Sequence, residues 1–155
     1  MKQDKTVVAY HEAGHIVAAI ALGWRIRKAS LRETRETLGS VITRSPRIKP
    51  HGYRWPDPGM GNAIIALGGI FSELLHRPRT PKQIRRACDE EWSDDIEIAY
   101  RALHRAARPT RSVGIARTQA AQIIGENKGM VRVFAKALLK HKHLTAAQIE
   151  RIMTS

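Results

Sequence analysis

The chain has a single cysteine, Cys88, in 155 residues, so no internal disulfide can form and the fold must rest on packing. A lone thiol of this kind is usually inert core or surface filling. Long apolar runs are also missing. The longest, around 16–24 and 63–71, are about half of the roughly 20 residues a membrane-spanning helix needs, and no bilayer-crossing segment is expected. The N-terminus has no apolar signal region followed by a small-residue cleavage site, so the expected location is the reducing cytoplasm.

Acidic residues are scarce: 14 Asp/Glu stand against 27 Lys/Arg, a net charge of +13. The excess is split almost evenly between the two halves of the chain and does not form a basic tail. Such a field favours nucleic acid or other polyanions non-specifically, and a solvated basic surface without a dedicated partner is an equal reading. Hydrophobic residues at 43% and charged residues at 26% fit a globular protein, and the length suits one domain over residues 1–155.

The few acids are not spread evenly. Asp89, Glu90, Glu91, Asp94, Asp95 and Glu97 fall within nine residues that contain no base. Their mutual repulsion needs relief, from a bound divalent cation or from water and nearby arginines.

Breakers and caps give a coarse outline. Asp4 is a candidate N-cap and Gly23 a stop for a helix over about 6–22. Segments 27–32 and 38–43 read as two strands of a hairpin. Residues 45–61 hold four prolines with His51, Tyr53 and Trp55, which suggests a long loop with a binding role; His51, Tyr53 and Arg54 are its candidate functional residues. A buried helix follows at about 62–76 despite the paired Gly68 and Gly69, which close approach to another helix would explain. Pro78 and Pro81 then break the chain. Further helices are expected at about 93–107, 112–124 and 128–140, with a short last one whose capping box is Thr145 and Gln148.

The first helix carries His11-Glu12-Ala13-Gly14-His15. Residues four apart lie on one face of a helix, about 6 Å along its axis, so both imidazoles can reach one ion. Glu12 is then turned toward the ion's open position, where it can act on an activated water. A catalytic zinc takes three protein ligands. Asp95 is the first candidate for the third, because it shares the apolar stripe of its helix with Ala99 and Leu103 and should face inward. Glu33 and Glu36 are second candidates.

Tyr10-His11-Glu12-Ala13-Gly14-His15, then Ala66-Leu67-Gly68-Gly69 with Glu73, then Ser93-Asp94-Asp95-Ile96-Glu97 resemble, in order and spacing, the peptidase domain of the FtsH-type ATP-dependent zinc proteases. The resemblance implies a mainly helical α+β fold: a zincin-like metal helix, a small β-hairpin or sheet, and a C-terminal helical bundle. It implies one Zn2+ per chain held by His11, His15 and Asp95, with Glu12 as catalytic base; Glu73 is a candidate for orienting a zinc-binding histidine, with a helix-surface carboxylate as the alternative reading. It further implies hydrolysis of unfolded or extended polypeptides laid along an edge strand near Gly39, Ser40 and Val41.

This sequence departs from that family in having no Gly-x4-Gly-Lys-Ser/Thr loop and no ATPase module, so activity is expected to be ATP-independent in this chain. A homo-oligomer or a separate unfoldase would be its partner. Ile70 stands where the family has an arginine, and Glu91-Trp92 where it has a Gly-Ala pair. The competing reading is a catalytically inactive zinc-binding module that uses its basic surface to bind nucleic acid or protein.

Overall fold

The computed structural model describes residues 4–31, 40–44 and 58–155. Within them the protein is mainly helical α+β. Seven helices accompany one three-stranded antiparallel sheet, in the order α1 (Lys5–Ala21), β1 (Arg25–Ser30), β2 (Ser40–Arg44), α2 (Pro58–His76), α3 (Pro81–Asp89), α4 (Ser93–Ala102), α5 (Pro109–Glu126), α6 (Lys128–His141), β3 (His143–Thr145) and α7 (Ala146–Thr154).

α1 begins where expected. The Asp4 carboxylate accepts the Thr6 backbone N–H at 2.9 Å, and Gly23 leaves the helix at φ 74°, a left-handed conformation that a side chain resists. The helix is buried on most of its circumference: Val7, Ala9, Ala13, Ile16, Val17, Ala18 and Ala19 are all in the core.

Its main neighbour is α2, and the contact depends on glycine. A methyl on Gly14 would overlap the Gly68 carbonyl oxygen and the Ser72 side chain, and one on Gly68 would come within 2.9 Å of the Ala18 methyl. The two helices therefore meet backbone to backbone, and the Ser72 hydroxyl donates to the Tyr10 carbonyl across the seam. This close approach explains Gly68 in the middle of an otherwise apolar helix.

α2 is the one described helix long and apolar enough to cross a membrane, but 67% of that stretch is buried inside the protein. It also carries the fully buried Ser72 and Glu73. Its apolarity is that of a central core helix wrapped by α1, α4 and α5.

The sheet has the order β2-β1-β3, with β1 central and antiparallel to both neighbours. Ala29 and Leu144, paired across β1 and β3, both point into the core. β2 is an edge strand of this sheet among the described residues. The C-terminal helices pack mainly onto the first two, α5 on α2 and α6 on α1, with little contact between α5 and α6. The buried side chains form one apolar cluster running from Ala9 to Ile149.

Several expected boundaries move. The break expected at 77–80 is there, between α2 and α3, but a further helix follows it at once: Thr80 and Gln83 form a capping box and Pro81 opens α3. Proline fits a first helical turn, where its missing N–H has no acceptor to lose. The same logic carries α5 back to Pro109 and α2 back to Pro58, so the long loop expected through residue 61 ends sooner. Residues 45–57, including His51, Tyr53, Trp55 and Arg54, lie outside the described residues, as do Glu33, Glu36 and Gly39. The three-residue β3 was not expected.

Candidate metal centre

The site is assembled from three helices. α1 presents His11, Glu12 and His15, α2 presents Glu73 and Gly69 beneath them, and the first turn of α4 brings Asp95 from 84 residues away. His11 Nε2 lies 2.6 Å from Asp95 Oδ2, and His15 Nε2 lies 3.7 Å from the same oxygen. Both imidazoles thus converge on one carboxylate, with the two rings edge to face at 4.8 Å between centroids. All three side chains are mostly buried, at 12–17% exposure.

His15 is oriented by the backbone. Its Nδ1 is 2.7 Å from the Ile65 carbonyl oxygen, which can only accept, so Nδ1 carries a proton and Nε2 is the nitrogen that faces the centre. His11 is oriented by Glu73, whose Oε1 lies 3.4 Å from its Nδ1. Glu73 is 1% exposed, and its other oxygen accepts from the Trp92 indole N–H at 2.8 Å and from Arg79 at 3.3 Å. Arg79 also binds Glu91 at 2.8 Å, and its guanidinium lies 5.1 Å from the centre of the Trp92 ring. A buried carboxylate needs such compensation.

The electrostatics follow from these contacts. Burial pulls the His11 imidazole down, but hydrogen bonds to Asp95 and Glu73 and the charges of Asp95 and Glu12 outweigh it and lift its pKa to about 10. Burial pushes Asp95 up, and is overcome by the His15 charge and by the hydrogen bond and charge of His11, so its carboxyl sits below the usual range. Glu12 goes the other way: burial raises it, and the nearby histidines only partly counter that.

Two observations bear on whether these donors fit a divalent ion. Glu12 Oε2 is buried without a hydrogen-bond partner among the described residues, although a buried polar atom is normally satisfied. Gly69 provides the second: a methyl there would lie 2.6 Å from His15 Cε1, 2.7 Å from His15 Nε2 and 2.8 Å from His11 Nε2. The absent side chain leaves room at the donor atoms themselves.

Two donor sets compete. His11, Glu12 and His15 have ligand atoms within 4.8 Å of one another. The Asp95 oxygen lies 2.6 and 3.7 Å from the two Nε2 atoms, which makes it the other candidate for a third ligand. With Asp95 as that ligand, Glu12 keeps a free carboxylate oxygen beside the centre.

The acidic cluster divides accordingly. Asp95 alone turns to the histidines, while Glu91, Glu90 and Glu97 pair with Arg79, Arg86 and Arg101. Of the remedies anticipated for the clustered carboxylates, pairing with arginine is present at Glu90, Glu91 and Glu97. Sequence reading missed Arg79 and Trp92. Their signal was weak, a lone arginine between two prolines and a tryptophan in the acidic run.

No protein-family model matches the chain, and no curated protein matches it.

Proposed function

We propose that this chain is a zinc-dependent metalloendopeptidase with a zincin-like site, hydrolysing peptide bonds in unfolded or extended polypeptides without ATP. The observation that carries this reading is the convergence of Asp95 on the His11–His15 pair, beside a buried Glu12 carboxylate with an unpartnered oxygen. A structural zinc site closes its fourth position with protein, whereas a hydrolytic one keeps three protein ligands and an adjacent base.

His11, His15 and Asp95 would hold the ion. Zinc, when bound, supplies a Lewis acid that lowers the pKa of water toward about 7 and polarises a carbonyl. Glu12 accepts the water's proton at Oε2 and delivers it to the departing amine. Burial raises its pKa in the metal-free chain, which favours proton uptake. Glu73 keeps the His11 ring in register, and the Ile65 carbonyl does the same for His15.

The edge strand β2, with Ser40 and Val41, offers main-chain groups to an extended peptide, a mode with little sequence selectivity. Folded substrates would require a separate unfoldase or a homo-oligomeric assembly. The likeness of the three motifs to the FtsH-type peptidase domain supports the same assignment.

The test is cleavage of casein by zinc-loaded protein. Wild type should cleave and stop with chelator; Glu12→Gln should keep its zinc and lose at least about 100-fold in turnover, the scale of lost acid–base catalysis. Undiminished cleavage by Glu12→Gln would sink the proposal.

A further inference from the structure

The even split of charge between the two halves conceals a local asymmetry. Residues 98–149 contain ten Lys/Arg and one acid, Glu126. Four of these bases, Lys128, Arg132, Lys136 and Lys140, follow one another at four-residue steps along α6, and all four are exposed. Each step rises about 6 Å and turns about 40°, so the charges form a gently wrapping stripe about 18 Å long. Lys142 and His143, both exposed, continue it past the helix end.

The fold gains nothing internal from this stripe. Like charges four apart on a helix repel and weaken it. Among the described residues none of the four bases pairs with an acid; the ion pairs formed by arginines elsewhere involve Arg79, Arg86 and Arg101. Lys142 adds a second concession. It caps α6 at φ 60°, a conformation that favours glycine or asparagine, yet a lysine stands there.

We infer that the outer face of α6 is a binding site for the phosphate backbone of duplex nucleic acid. The proposal is independent of the metal centre. Along one strand of a duplex a phosphate recurs about every 3.4 Å of axis, so an 18 Å stripe faces about five of them. Single-strand binding needs aromatic platforms for bases, and the one Phe, Tyr or Trp on α6, Phe134, is fully buried. An anionic membrane surface would be met by a helix with a continuous free apolar face, but Val131, Phe134, Ala135 and Leu138 are committed to the core, and the exposed Val133 and Leu139 stand about 120° apart around the helix and form no such face. Charge without bases or lipid contacts leaves the backbone of a duplex.

The experiment is binding of a fluorescein-labelled 24-base-pair DNA duplex by fluorescence anisotropy across a salt series. Three proteins are compared: wild type, the stripe variant K128Q/R132Q/K136Q/K140Q, and a control, R105Q/R108Q/R111Q/R117Q, which removes the same charge from exposed positions elsewhere. Circular dichroism and zinc content check that each variant is folded. The stripe variant should bind at least about tenfold more weakly, with a log–log salt slope shallower by about 3 to 4, at about 0.9 per lost phosphate contact. The control should stay within about threefold of wild type. The inference is overturned by absence of wild-type binding, by equal losses in both variants, or by a stripe variant that binds as wild type does. Phosphatidylserine vesicles run in parallel: stripe-dependent vesicle binding with unaltered DNA binding would also overturn it, in favour of a membrane surface.

Discussion

The indole N–H of Trp92 donates to Glu73 Oε2 at 2.8 Å, while Glu73 Oε1 lies 3.4 Å from His11 Nδ1. A buried tryptophan in the α3–α4 connection thereby sets the rotation of an imidazole on α1. Replacing Glu73 by Gln keeps its size but removes the charge facing His11. Loss of a partner that orients a metal ligand typically costs 10–100-fold in affinity, and zinc affinity of Glu73→Gln, measured by competition with a chromogenic chelator, should fall by about that much.

Gly69 and Gly14 sit on facing helices but should fail differently. Gly69→Ala puts a methyl at 2.7–2.8 Å from the histidine nitrogens, so its main effect should be weaker zinc binding, by tenfold or more, in a chain that still folds. Gly14→Ala pushes against the α2 backbone instead. Its cost should appear in denaturant unfolding, at about 1–3 kcal/mol for overpacking.

Glu12 carries a stability penalty in the metal-free chain. Its folded pKa is raised above 4.5, so above that pH the unfolded chain ionises it more readily and folding loses stability. Glu12→Gln should therefore raise the unfolding free energy of chelator-treated protein at pH 7, by about 1–3 kcal/mol on the scale of an unpaired buried polar group. Lost activity with gained stability is the pairing that the proposed role of Glu12 predicts.

The His11–Asp95 contact gives the metal-free chain a pH window. His11, raised from 6.5 to about 10, contributes stability that is complete below 6.5 and lost as pH rises toward 10. Asp95, lowered from 3.8, contributes stability that is complete above 3.8 and lost as pH falls through its folded value. The two overlap fully between 3.8 and 6.5. Chemical denaturation of chelator-treated wild type at pH 6 and pH 9 should show the stability difference from Asp95→Asn shrinking at the higher pH; a constant or growing difference would contradict the pairing.

Much of the centre was readable because its signals are local. The spacing of His11 and His15 and the cap at Asp4 belong to one helix, and the inward face of Asp95 follows from its periodicity with Ala99 and Leu103. What was not readable depends on distant partners or on ambiguous punctuation. Pro81 can end a helix or open one, and only Thr80 and Gln83 together decide for opening. β3 is three residues long and exists because Leu144 fits opposite Ala29. Gly69 and Gly68 look alike in sequence, yet one makes room for imidazoles and the other for a helix backbone. The pairing of Trp92 and Arg79 with Glu73 joins three segments that no local pattern connects.

The central claim is that His11, His15 and Asp95 form one metal site. Its most direct test is the metal content of freshly purified protein by inductively coupled plasma mass spectrometry, with wild type beside Asp95→Ala. The account predicts one zinc per chain in wild type and a large loss in the variant. A wild type without zinc, or a variant that retains a full equivalent, would contradict it.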